Sequence, residues 1–182
     1  MSTSSEPLPS YENPTNPFFI STRVLIVNST SENAFCSGAD LIERKSMTQA
    51  QVDRFLIDLR SAFTGLEKLP FPTIAAVDGP ALGGGLEMAL CCDLRVAGRS
   101  PVPVICTFRR AYLTNPGFAV TKIGLTETKL GIIPGAGGTQ RLTRLVGVSK
   151  AKDLIFTARA LTAHQALEYG TFVRLFTQHV RN

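Results

Sequence analysis

Hydrophobic and polar positions divide the chain into short apolar runs, one long amphipathic stretch and several glycine-rich turns. Arg23–Asn28 (Arg-Val-Leu-Ile-Val-Asn) is apolar and rich in β-branched side chains, and it predicts a short buried strand. Thr48-Gln-Ala-Gln51 matches a capping box, in which the first and fourth side chains each satisfy a free backbone N–H of the other. Val52, Phe55, Leu56, Leu59, Ala62, Phe63 and Leu66 then recur at helical spacing, with Asp53, Arg54, Asp58 and Arg60 on the other side. Pro70 and Pro72 end this helix. It reads as structural, with its apolar stripe in the core. Thr73–Val77 and Leu94–Ala97 predict two further strands. Thr139 is placed to cap a helix through about Val146, and Ser149 a helix to about Ala158. Thr162-Ala-His-Gln165 is a second capping box, opening a short helix that stops at Gly170, and Phe172–Phe176 predicts a last strand. The patterning fails at about 98–121, where Pro101, Pro103, Pro116 and Gly117 punctuate a stretch read as a loop or insertion.

The chain is organised around Asp78–Asp93, in which Gly83, Gly84 and Gly85 stand between the strand Thr73–Val77 and the helix formers Leu86, Met88, Ala89 and Leu90. A strand, glycine turn and helix in that order leave bare N–H groups at a helix start, where negative charge is favoured. Glu87 follows Gly84 by about one helical turn. Donors for a developing negative charge therefore adjoin a proton-transfer group. Alone, the stretch describes equally well a tight turn with a solvated Glu. Ala34–Leu41 is rich in small residues and could aim the N–H of Ala39 or Asp40 into a site; taken alone it reads as a plain loop. Pro134-Gly-Ala-Gly-Gly138 is a second glycine turn, without the spacing of a Walker A loop or of Gly-x-Gly-x-x-Gly. Glu127 is the sole carboxylate between Asp93 and Asp153.

Composition narrows the chemistry further. With 182 residues, 44% hydrophobic and 18% charged, the chain has the make-up of one domain with a substantial core. No apolar run approaches the about 20 residues that cross a bilayer. Residues 1–22 form a polar tail, read as disordered, and 177–182 a short second tail, around a core of 23–176. Cys36, Cys91, Cys92 and Cys106 include no Cys-x-x-Cys pair, so reduced thiols in an intracellular protein are expected, and no metal. Only His164 and His179 are histidines, which leaves little for a histidine triad or zinc site. Residues 1–94 carry 6 basic and 11 acidic side chains, and residues 95–182 carry 13 and 3. A basic half suits a polyanionic ligand such as a nucleotide, but it equally describes solvated helix faces. No nucleic-acid module is visible, and a nucleic-acid partner is not expected.

Four segments stand in order: Phe35-Cys-Ser-Gly-Ala-Asp-Leu41, Asp78–Asp93, Gly124–Leu142 and Ser149–Gly170. Together they resemble the crotonase superfamily, the enoyl-CoA hydratase/isomerase group, over about residues 23–97 and 122–170. The likeness is nearest to mitochondrial-type methylglutaconyl-CoA and short-chain enoyl-CoA hydratases. It implies an α/β fold, a spiral of ββα turns, expected here to be incomplete at both termini. It also implies acyl-CoA thioester substrates, with coenzyme A part of the substrate and no separate cofactor. By the resemblance, the N–H groups of Ala39 and Gly84 form an oxyanion hole, and Glu87 and Glu127 are the two catalytic glutamates. Ala39, Asp40, Leu41, Gly83, Gly84, Pro134 and Gly135 fall at substrate-binding positions, with Gly135 near the attacking water. Which glutamate is acid and which base stays open, although Glu127 matches the proton donor to carbon.

The implied reaction is addition of water across an α,β-unsaturated acyl-CoA. Two carboxyls favour a hydratase over an isomerase, which can work with one. The alternatives are an enoyl-CoA isomerase, or a non-catalytic module that binds hydratase subunits or RNA. Relatives work in mitochondria or peroxisomes, and neither address is visible in the chain. Departures from the pattern are the wide Glu87–Glu127 spacing, the insertion at about 98–121, and Ile42 where a Lys or Arg is usual. The family's homotrimer or hexamer is expected to be weakened, since the C-terminal helices that build its interface lie beyond the matched segments.

Overall fold

The structure is a computed structural model that describes residues 21–31, 33–98 and 121–176. The readings of residues 1–20, 99–120, 177–182 and Cys106 lie outside the described residues. Four strands make a parallel sheet: β1 (Leu25–Val27), β2 (Thr73–Val77), β4 (Leu94–Gly98) and β7 (Arg174–Phe176), in the order β1-β2-β4-β7. Its register places Ala75 between Val27 and Arg95, and Ala97 beside Leu175. A smaller sheet has the order β3-β5-β6, from Ala81–Leu82, Lys122–Gly124 and Leu161–Thr162. Parallel strands covered on both faces are apolar throughout, which is why Thr-Ile-Ala-Ala-Val could be read as a strand without alternation. Ala75, Val77 and Ala97 are almost fully buried, and their short side chains let Leu86, Leu142, Leu154 and Phe172 close over the sheets in one core.

Among the described residues, six α-helices connect the strands: α1 (Leu41–Ser46), α2 (Gln49–Glu67), α3 (Gly84–Ala89), α4 (Gly138–Val146), α5 (Val148–Thr157) and α6 (Ala163–Tyr169). Both capping boxes form. Thr48 and Gln51 close on each other at the start of α2, and Thr162 and Gln165 at the start of α6, with Gly170 ending α6 in the left-handed region. The predicted caps Thr139 and Ser149 do not form. Helices α4 and α5 start two residues earlier than those caps require, after Gly137 and Gly147, whose positive φ turns the chain without side-chain help. The Phe172–Phe176 strand shortens to β7, with Phe172 buried ahead of it.

Two readings are corrected more substantially. Helix α2 buries none of its residues fully, and of its apolar stripe Leu66 packs against the core. Phe55, Leu56, Leu59 and Phe63 instead form one wall of a cavity. Periodicity reports that a helix has an apolar face, and it cannot tell a packed core from the lining of a pocket. Residues Ala34–Leu41 are also more than a plain loop. The Leu82 N–H donates to the Cys36 carbonyl at 3.0 Å, and Cys36 pairs in parallel with Ala81. The Asp40 carboxylate caps α1, accepting from the Ile42 N–H at 2.8 Å. Where the predicted insertion leaves the described fold, Thr121 Oγ1 donates to the Gly98 carbonyl at 3.5 Å, so the chain departs and returns at adjoining points.

Candidate active site

A cavity of about 310 Å³ opens between α2, the Cys36–Leu41 segment, the glycine turn and the stretch from Thr126 to Ala136. Its surface is mostly apolar, with Glu87, Glu127 and Arg44 as the charged exceptions. The glycine turn sits against the Cys36 segment so closely that a Cβ on Gly85 would lie 2.0 Å from the Cys36 carbonyl oxygen. Only glycine fits there. That contact brings the turn beside Ala39: a Cβ on Gly84 would lie 3.9 Å from the Ala39 nitrogen. The N–H groups of Ala39 and Gly84 donate to no acceptor among the described residues, and both residues line the cavity. At Gly84 the reason is elementary, since the first N–H groups of a helix have no partner within it.

Helix α3 carries Glu87 inward, 3% exposed. Its Oε1 accepts from the N–H groups of Ala136 at 2.9 Å and Gly138 at 2.8 Å. The approach of the Pro134–Gly138 turn is tight, because a Cβ on Gly138 would lie 2.8 Å from Glu87 Cγ. Burial raises the pKa of Glu87; the two N–H groups and the charges of Arg141 and Arg60 oppose the rise. Glu127 opens a 3-10 turn (Glu127–Leu130) and is 8% exposed. Its Oε2 is buried without a hydrogen-bond partner among the described residues. Burial pushes its pKa up to about 6, its own backbone N–H opposing and the charge of Glu87 adding to the rise. A Cβ on Gly83 would lie 3.3 Å from Glu127 Oε1, which sets this carboxyl against the glycine turn.

The structure therefore brings together Glu87, Glu127, Ala39, Leu41, Gly83, Gly84 and Gly135 on one cavity wall. Asp40 and Pro134 are outside the lining; Asp40 works as the cap of α1, and Pro134 is buried at the start of the turn. Sequence reasoning missed three groups. The apolar face of α2 was visible as a stripe but not as a pocket wall. Ala136 and Gly138 were visible as a glycine turn, but nothing in the sequence pairs that turn with Glu87. Arg60 was read on the polar side of its helix and Arg141 was given no role, yet Arg60 Nε donates to the Gly135 carbonyl at 2.6 Å, and Arg141 donates to the Ala136 carbonyl at 2.9 Å and to Glu67 at 2.8 Å.

The remaining candidates are structural. Burial holds the Cys91 and Cys92 thiols at about 12 and about 11, protonated at neutral pH. Cys36, Cys91 and Cys92 are free thiols. His164 stands on the surface 3.4 Å from Glu168. Arg95 is buried, donating to the carbonyls of Thr171 and Cys92. Among the described residues, no cluster of three or more His, Cys, Asp or Glu side chains could hold a metal ion, and no helix is long and apolar enough to cross a membrane.

Fold and cavity together define an α/β protein of the crotonase type, with two buried carboxyls facing a pair of free backbone donors. The chain belongs to the enoyl-CoA hydratase/isomerase family, whose model matches residues 20–180. It is 50% identical over 148 residues to the enoyl-CoA isomerase/hydratase fer4 of Mycosarcoma maydis, covering 81% of this chain and 47% of that protein. It is 45% identical over 157 residues to the mitochondrial methylglutaconyl-CoA hydratase of Homo sapiens, covering 86% of this chain and 40% of that protein. The crystal structure of an enoyl-CoA hydratase from Bacillus anthracis superposes with a TM-score of 0.71 at 44% identity, covering 87% of this chain and 54% of that one. The chain thus spans less than half the length of the curated relatives it matches.

Proposed function

We propose that this chain hydrates an α,β-unsaturated acyl-CoA thioester. The observation that carries the reading is the facing of two buried carboxyls, Glu87 and Glu127, into one apolar cavity beside the free N–H groups of Ala39 and Gly84. In this reading the thioester oxygen lies between the two N–H groups, and the acyl chain lies along Phe55, Leu56, Leu59 and Phe63. Glu87, whose anion is held by two backbone donors, takes a proton from water. The oxygen of that water bonds to the β-carbon, the double-bond electrons shift, and an enolate forms on the thioester oxygen. Each N–H donor is then worth about 2.7–4 kcal/mol in the transition state. Glu127, with a pKa raised to about 6, keeps a protonated fraction at neutral pH and delivers its proton to the α-carbon. Substrate in the cavity displaces water and raises that fraction further. The product is a 3-hydroxyacyl-CoA, and proton exchange with solvent resets the pair. No separate cofactor enters this scheme.

The test is the loss of conjugated-thioester absorbance with crotonyl-CoA, with the product identified by mass. Glu87→Gln and Glu127→Gln should each abolish it. An isomerase would instead move the double bond without adding water, so product mass separates the two. The non-catalytic and RNA-binding alternatives are less well supported: Arg95 and Arg141, two cations of the basic half, are engaged internally with carbonyls and Glu67. Mitochondrial names among the relatives support that compartment for this chain. An acyl-CoA is its proposed partner, with a homotrimer or hexamer as the assembly to be checked by light scattering.

A further inference from the structure

We propose that Arg60 is a positioning residue for Glu87, acting through the single peptide unit that joins Gly135 to Ala136. The inference rests on the reading of Glu87 as the ionised base. Arg60 Nε donates to the Gly135 carbonyl at 2.6 Å. The N–H of that same peptide belongs to Ala136, and it donates to Glu87 Oε1 at 2.9 Å. A peptide whose carbonyl faces a guanidinium is polarised along its length, and its N–H becomes the stronger donor. The other bond to Glu87 is backed differently. Gly138 N belongs to the peptide whose carbonyl is Gly137 O, and among the described residues that carbonyl receives only the neutral backbone N–H groups of Gln140 and Arg141. One of the two tethers on the carboxylate is therefore backed by a cation and the other by helix amides. Arg141, itself held by Glu67, fixes the Ala136 carbonyl on the far side of the same residue. Arg60 thus links the outer face of α2 to the base, although its side of the helix looks like a solvated face in sequence.

The charges of Arg141 from α4 and Arg60 from α2 act on Glu87, and the charge of Glu87 in turn acts on Glu127 in the 3-10 turn and on Cys91 after α3. The Cys91 thiol stays protonated, and Glu67 is paired with Arg141. Removing Arg60 removes one cation and weakens one donor. Both changes favour the protonated form of Glu87, so its titration midpoint moves upward.

The experiment is carboxyl ¹³C NMR of the free protein, without substrate, with the Glu87 signal assigned by its loss in Glu87→Gln. Arg60→Met should raise the Glu87 midpoint by about half a pH unit or more, and Arg60→Lys should restore most of it. With crotonyl-CoA, Arg60→Met should lower kcat/KM about 3-fold or more on the acidic limb and less than about 2-fold on the alkaline limb, which Glu127 sets, with KM little changed. A midpoint that does not move in the folded variant overturns the proposal, as does an equal loss at every pH. A midpoint that moves in a protein that turns over no enoyl thioester upholds the relay and removes the hydratase reading instead. Should Arg60→Met fail to fold, Arg60→Gln, which keeps a donor and loses the cation, carries the same midpoint test.

Discussion

Replacing Glu127 with Gln should remove catalysis and change how stability depends on pH. The carboxyl is 8% exposed and its Oε2 has no hydrogen-bond partner among the described residues, so little solvent remains to screen its charge. Burial holds its pKa at about 6 against an ordinary 4.5. A shift of about 1.5 units corresponds to about 2 kcal/mol. Because the folded pKa is raised, the stability linked to protonation is fully present below the unfolded value and is lost as pH rises through the folded one. Wild-type protein therefore forfeits about 2 kcal/mol between about pH 4 and pH 7.5 from this group alone. The Gln variant carries a fixed cost of about 1 kcal/mol for its buried amide and no pH-dependent one at this position. Urea unfolding followed by circular dichroism, with both proteins at both pH values, reads the difference directly. The variant should gain about 2 kcal/mol on the wild type as pH rises across that window. A wild-type–variant difference that is the same at both ends would show that Glu127 is not desolvated, and the proposed acid would lose its physical basis.

Other substitutions probe other parts of the account. Glu87→Gln keeps an oxygen for the N–H groups of Ala136 and Gly138, so the fold should survive while hydratase turnover falls by about 100-fold or more in a steady-state assay. Gly85→Ala places a methyl 2.0 Å from a backbone oxygen and should destabilise by about 3 kcal/mol or more, seen as a lowered unfolding midpoint or insoluble protein. Phe63→Ala should lower KM for longer acyl chains relative to crotonyl-CoA, at a stability cost below the about 3–5 kcal/mol of a fully buried Phe. Thr48→Ala removes the cap of α2, the helix that walls the cavity, and should cost about 1 kcal/mol in thermal unfolding.

Where local rules decide the outcome, the chain was legible. Thr73–Val77, the two capping boxes and the stop at Gly170 follow from apolar runs, hydrogen-bonding side chains and a left-handed glycine, all set within a few residues. The two-residue strands β3 and β6 were not visible, because so short a strand is defined by its neighbour and not by its own pattern. The starts of α4 and α5 were placed two residues late, since Thr139 and Ser149 are good caps by type while Gly137 and Gly147 already turn the chain.

The site was legible only as a list. Glu87, Glu127, Ala39 and Gly84 could be named from the ordered segments they share with a family. Their meeting depends on long-range contacts such as Gly85 against Cys36 and Gly138 against Glu87. The pocket wall and the Arg60 contact were misread for a common reason. A side chain at the edge of a cavity has the same sequence signature as one in a core or in solvent, and only tertiary packing separates them.

The central claim is that the two buried carboxyls and the two free N–H groups together add water to a conjugated thioester. Incubating folded protein with crotonyl-CoA in ¹⁸O-labelled water, and weighing the product, tests it most directly. The account predicts a 3-hydroxyacyl-CoA carrying the label on the β-hydroxyl, formed by the wild type and by neither Glu87→Gln nor Glu127→Gln. Unchanged crotonyl-CoA with folded wild-type protein, or labelled product from both variants at the wild-type rate, would contradict it.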